Sequence, residues 1–369
     1  MGVYAFTLLV LLVFSFLELR TNLSSVQHKT MLVFTFVLFV FQVGLRWQTG
    51  TDWEPYLMNF ENTNSITDVY YSIDNFEKGY GFLVLLIKKL WNSYTAFLVI
   101  HALVYYVLVF SAFKKFSPYI FVSLLVFYAT TMGVLGSNRQ LIALGICLFA
   151  LRYVAQKETF KFFMLIGFAF LFHSSAVLFV VYYFLNRDIK KPWIVAILML
   201  SFIIGKTSIP SLLFSFVGNS MGVMVGYKAL VYVMDFKNDF GSLSVLGLVK
   251  RFLFLGLFIY NYDYLTAKLS YYKIIFNGYF VGLIIYFLFS SSILVIVNRG
   301  SLYFTVMEVL LLSAQFLLIK DRDYTVNFLI LLFIVTIFLF YQSISGYADL
   351  FVPYKGIFIN PDFDRFRID

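Results

Sequence analysis

Residues 90–113 read LWNSYTAFLVIHALVYYVLVFSAF and, after Lys114 and Lys115, residues 116–138 read FSPYIFVSLLVFYATTMGVLGSN. Neither run carries a charge, and each exceeds the roughly 20 residues that cross a hydrocarbon core as a helix. Residues 274–298 and 324–348 form two more such runs. A transmembrane barrel would instead show segments of about ten residues in strict alternation. The fold expected is therefore an all-α polytopic integral membrane protein, a single membrane domain over 1–369 with 10 to 12 transmembrane helices. Candidate spans lie near 3–19, 31–47, 93–113, 118–136, 140–154, 160–172, 174–186, 192–206, 242–260, 273–297, 301–319 and 325–346.

The whole composition agrees. Of 369 residues, 61% are apolar, 21% aromatic and only 13% charged, against about 25% charged in soluble domains. The formal charge of +9 would suggest nucleic acid in a soluble protein. In a membrane chain it orients the helices instead, so no nucleic-acid partner is expected. The first apolar run lacks a basic flank and a small-residue cleavage site, and is read as an uncleaved first helix. Cys147 is the single cysteine, which rules out an internal disulfide. With three histidines no metal cluster is suggested, and no cofactor is expected. There is no GxxxxGK loop for a nucleotide.

Lysine and arginine set the topology. Arg152, Lys157 and Lys161 precede the apolar stretch 160–186, and Arg187, Lys190 and Lys191 follow it. If both clusters are cytoplasmic, the stretch doubles back near Phe172-His173-Ser174-Ser175 as two arms of about 13 residues, each roughly 20 Å long and too short to span. The alternative is one 26-residue span that buries a histidine. Alternation then puts 20–30, 114–117, 187–191, 261–272 and 320–324 inside, and 46–92 and 206–241 outside. Inside segments hold 14 Lys and Arg against 6 acidic residues, and the longer outside segments hold 12 of each. Two outer loops result: 48–92, acidic and aromatic with an amphipathic stretch 80–91 whose Lys88 and Lys89 suit the interface, and 206–241, with a Gly/Ser-rich part 207–227 that suits a re-entrant element.

Charged groups at membrane depth mark function by default. Arg46, Arg139 and Arg299 approach the outer side from three separate helices. Guanidinium forks suit phosphate better than lysine does, and a lipid pyrophosphate at the outer surface fits the arrangement. The bland reading is that each arginine ends a helix and snorkels. Glu308 lies within a span and calls for a partner, with Lys250 or Arg251 nearest in pattern; an ion pair that fixes packing is the simpler expectation. Asp52 and Glu77 sit at either end of the acidic loop beside Gly50 and Gly79. Either carboxylate or His173 could take the proton from an attacking hydroxyl. Arginines lower a neighbouring carboxylate's pKa, which favours His173 over Asp52 as base and leaves Asp52 to hold Arg46 or sugar hydroxyls.

Arg46 with Gly50-Thr51-Asp52 and Tyr56, Glu77-Lys78-Gly79-Tyr80, Arg139-Gln140-Leu141-Ile142-Ala143, Phe172-His173-Ser174-Ser175-Ala176, and Arg299 with Tyr303 occur in that order. This set resembles the EpsG family of Wzy-type polysaccharide and O-antigen polymerases; the tail 347–369 resembles nothing in it. The resemblance implies a GT-C-like glycosyltransferase with a large outer-face loop in a bacterial cytoplasmic membrane, its site facing outward. Its substrate would be an undecaprenyl-pyrophosphate-linked oligosaccharide, its surroundings the lipid bilayer, and its partners a chain-length regulator and a flippase. Arg46, Arg139 and Arg299 would bind pyrophosphate and His173 and Asp52 would be catalytic. Glu77, Tyr80, Gln140, Tyr303 and Glu308 would contact or support the glycan. A ligase, a membrane acyltransferase and a flippase remain alternatives, the last disfavoured by the absence of repeated halves.

Overall fold

The computed structural model describes residues 1–71, 76–220, 245–293 and 296–363, and among these it is helical with isolated bridges in place of strands. Asp74 and most of the second outer loop, 221–241, lie outside the described residues. Nine helices lead the chain: α1 (Gly2–Arg20), α2 (Ser25–Gly44), α3 (Trp53–Asn62), α4 (Ile66–Tyr70), α5 (Lys78–Leu90), α6 (Tyr94–Phe116), α7 (Ile120–Thr131), α8 (Asn138–Ala155) and α9 (Thr159–Phe170). The chain falls into two units, 1–180 with 312–369, and 181–311.

Among the described residues, five helices are long and apolar enough to cross a bilayer: α1, α2, α6, Tyr272–Phe289 and Arg322–Phe351. Three bent pairs, each counted as one span, raise this to eight. The protein is a multi-pass membrane protein; among the described residues five to eight spans pass by length and composition, beside the 10 to 12 expected for the whole chain. The difference has local causes. The run 116–138 yields only 12 residues of α7 before a tight turn at Met132–Val134. The helix α8 carries charge at both ends, in Arg139 and Arg152. In the second unit, Lys191–Gly205 and Ile209–Phe216 form one pair bent by 79°.

In the first unit α9 packs on α8, α8 on α6 and α6 on α2, while α1, α7 and Arg322–Ile344 pack together. The stretch 160–186 breaks as the basic clusters imply. After α9 the chain turns at Leu171–His173 and continues as a tight 3-10 stretch, Ser174–Phe184. The rings of Phe162 and Phe179 lie 6.4 Å apart, where one continuous helix would separate them by about 25 Å. The stretch therefore doubles back, and the single 26-residue span is excluded.

Polar side chains tie helix ends across the unit. The Glu18 carboxylate, near the end of α1, accepts the Ile120 and Phe121 amides at 2.9 Å each and so caps α7 from another helix. Removing it in Glu18→Ala leaves two half-buried amides without acceptors. A loss of about 1–3 kcal/mol is expected, read as a lowered melting temperature of the purified protein, with Glu18→Gln milder because it keeps one acceptor.

In the second unit Lys191–Gly205 packs on Tyr272–Phe289. The amide of Asn277 donates to the Leu185 and Arg187 carbonyls at 2.7 Å each. The expected ion pair forms, with Lys250 Nζ 3.0 Å from Glu308 Oε1, while Arg251 stacks 3.5 Å over the Tyr286 ring.

Candidate functional site

The segment after α2 is built on backbone contacts. Gly50 donates its amide to the Leu350 carbonyl at 3.0 Å and Thr51 to the Leu135 carbonyl at 2.9 Å. Gly50 has φ +101° and Gly136 φ +114°, a region open to glycine and strained for other residues. The two glycines let chain 50–51 lie directly on chain 135–136: a Cβ on Gly50 would come within 2.4 Å of the Leu135 oxygen. The C-terminal stretch 347–357, which none of the five motifs reaches, completes the seat. Trp47 donates to the Lys355 carbonyl at 2.9 Å, Ile357 to Leu45 at 3.0 Å, and Tyr354 Oη to the Gln42 carbonyl at 2.6 Å. No sequence signal marked this role, because backbone hydrogen bonds impose little choice on side chains.

That seat fixes Arg46, which does not stand at an open mouth. Its side chain is 1% exposed. Nη1 donates to the Val43 carbonyl at 2.6 Å and Nη2 to Asn138 Oδ1 at 2.8 Å, with the Trp53 ring 5.8 Å away. Asn138 is the hub that sequence reasoning missed. Its carbonyl also meets His101 Nε2 at 2.8 Å, and both His101 and Asn138 are fully buried. Three helices, α2, α6 and α8, are thereby locked at one level, one residue before Arg139. A buried Asn in an apolar stretch was the available clue, since an amide there must find partners.

Arg139 is different. It is partly exposed, and Nη1 lies 2.5 Å from Glu77 Oε2. Nε donates to Tyr56 Oη at 3.2 Å, and the guanidinium lies 4.0 Å over the Phe76 ring. Glu77 precedes α5 without capping it. Its other oxygen, Oε1, accepts the Ser174 amide at 2.9 Å, and Gly79 donates to the Leu171 carbonyl at 2.9 Å. Arg139, Glu77 and the 171–175 turn thus come together from α8, α5 and the break after α9. Burial alone would raise the Glu77 carboxyl, but Arg139, the Ser174 amide and His173 outweigh it and hold it below the usual range.

His173 is half-buried beside Glu77. Its Nδ1 lies 2.5 Å from Ser175 Oγ and accepts the Ser175 backbone amide at 3.3 Å. A backbone N–H can only donate, so the neutral ring carries its proton on Nε2. That tautomer, assigned from the hydrogen bonds, presents Nε2 as a donor. Asp52 takes a left-handed conformation (φ +53°) at the start of α3. It lies close enough to Tyr56 to add to the burial that raises that phenol.

The supporting residues divide. Tyr80 is buried, its ring 5.5 Å from Tyr56, and Gln140 is 1% exposed. Lys88 does not lie free in an interface, because its Nζ caps α3 at the Phe60 and Glu61 carbonyls, 2.8 and 2.7 Å away. In the second unit Arg299 is exposed on a π turn, Ile296–Gly300. There Tyr303 is buried with its carbonyl accepting Tyr182 Oη at 3.0 Å, and Glu308 is taken by Lys250.

The model of the EpsG family matches residues 29–356, a range that includes every residue of this cluster. No curated protein and no solved structure matches the chain. Matched over most of its length, the chain belongs to the EpsG family.

Proposed function

We propose that this protein is a repeat-unit polymerase. It transfers a growing glycan from a polyprenyl diphosphate, undecaprenyl in bacteria, to a hydroxyl of a new lipid-linked unit at the outer face of the cytoplasmic membrane. Membership of a family associated with Wzy-type polymerases supports the reaction class. The observation that carries the chemistry is the Arg139 cluster: a partly exposed guanidinium, a carboxylate and an imidazole meet at one break in the helices.

The leaving group is a diphosphate, and negative charge develops on its oxygen as the glycosidic bond breaks. A preorganised guanidinium stabilises that charge more in a poorly hydrated site than in water. Arg139 is oriented for this by Tyr56 and Phe76, and Nε2–H of His173 adds a donor. Asp52 serves the acceptor side through sugar hydroxyls. Arg46, sealed behind Asn138, positions α8 and does not touch substrate. Arg299, Tyr303 and Glu308 are given no part in this cluster.

The test is reconstitution of the purified protein in lipid vesicles with a single lipid-linked repeat unit. Product that lengthens stepwise is the expected result. Product formed only after a second, different acceptor lipid is added would overturn polymerisation in favour of ligation.

A further inference from the structure

Glu77 uses both carboxylate oxygens on donors of the kind that hold phosphate: a guanidinium N–H of Arg139 and the backbone amide of Ser174. It is not needed to hold the local fold. It does not cap α5, and α5 is tied to the turn separately through Gly79 N–H and the Leu171 carbonyl. Arg139 keeps two further contacts apart from it, Tyr56 Oη and the Phe76 ring. Both side chains of the pair are 19% exposed, so an anion can reach the contact.

We propose that Glu77 is a placeholder: in the unliganded protein its carboxylate occupies the diphosphate position on Arg139 and the Ser174 amide, and once displaced it accepts the proton of the attacking hydroxyl. The proposal rests on the polymerase reading for the identity of the anion. In the step, the acceptor hydroxyl oxygen bonds to the anomeric carbon and the bond from that carbon to the diphosphate oxygen breaks. The electron pair of that bond goes to the diphosphate, which Arg139 holds, and the hydroxyl proton passes to the Glu77 carboxylate. Freed from Arg139, Glu77 regains ordinary basicity at the moment the proton needs a place. His173, whose Nδ1 is occupied by the Ser175 amide, leaves this role open.

The exchange has a signature that a structural ion pair lacks. A residue that competes with the ligand raises the ligand's affinity when neutralised, while loss of the base lowers turnover. Glu77→Gln keeps an acceptor for Ser174 and removes the charge. In the full-length purified protein it is expected to bind inorganic pyrophosphate about fivefold more tightly, and to turn over at least about a hundredfold more slowly. Glu77→Asp, whose shorter arm cannot reach both donors, is the second variant and should shift affinity in the same direction. Thermal unfolding verifies that each variant folds.

Titration with inorganic pyrophosphate and, separately, with a polyprenyl diphosphate in micelles identifies the source. Tightening with both means that the diphosphate alone is read; tightening with the lipid form alone means that the tail is required; and either supports the exchange. Unchanged or weaker binding of both by Glu77→Gln overturns it. The two readings fail separately. A wild-type protein that lengthens glycan while Glu77→Gln shows no tightening defeats the exchange alone. Tightening in a protein that never lengthens glycan defeats the polymerase alone.

Discussion

Arg139→Lys is expected to reduce polymer formation by on the order of a hundred- to a thousand-fold, with the protein still present in the membrane in normal amount. Lysine keeps the charge, so a purely electrostatic role would survive the change. What it loses is the planar fork. In the native site one guanidinium serves Glu77 through Nη1 and Tyr56 through Nε, and lies over Phe76 at 4.0 Å. An ammonium on a flexible stem cannot hold these directions together, so the charge wanders when the leaving oxygen needs a fixed donor. The fold tolerates the change, because partly exposed ion pairs and cation–π contacts are each worth about 1 kcal/mol or less. The measurement is the glycan ladder of cells carrying the variant beside the protein's level in isolated membranes. Normal ladders would remove Arg139 from the pyrophosphate role.

Charge and length make a feature legible where they leave one physical outcome, and leave it open where several outcomes share the same pattern. The break at Leu171–His173 was legible because lysines and arginines bracket a stretch whose length fits two short arms. The Lys250–Glu308 pair was legible because an acidic residue within an apolar run must find a base, and few were available. Arg46 was misplaced for the opposite reason. An arginine that ends a span looks alike in sequence whether it snorkels to water or turns inward. The residue that decides between them, Asn138, is 92 positions away. The Ser175 amide that meets His173 Nδ1 is two residues on, a hydrogen bond that composition cannot show. The stretch near Tyr354 and Lys355 lies within the family match yet outside the five motifs, because much of its contact to 45–51 is through backbone atoms. Fewer helices pass by length among the described residues because apolar length does not reveal a tight turn such as Met132–Val134.

Gly136→Ala is expected to unfold the first unit locally and abolish activity, although the change adds only one methyl group and no charge. At φ +114° the position is strained for alanine, at a cost of about 1–3 kcal/mol. The methyl would also fall 1.7 Å from the Thr51 carbonyl oxygen, on rigid backbone. The two chains must then part. Parting breaks the bond from Thr51 N–H to the Leu135 carbonyl, worth about 1 kcal/mol. The sum is a large share of a typical stability of about 5–15 kcal/mol. Because Ser137, Asn138 and Arg139 follow directly, the start of α8 shifts with them, and any protein that survives should lack polymerase activity. Gly256→Ala, where added bulk meets open space within a helix, should leave the melting temperature unchanged or slightly raised. Melting curves of the two purified variants make the comparison. If Gly136→Ala melted and polymerised like wild type, the close backbone seat of Gly50-Thr51 on 135–136 would not be what positions Arg139. The order of cause would then reverse, with Arg46 and Asn138 fixing α8 unaided and the glycines serving only the loop.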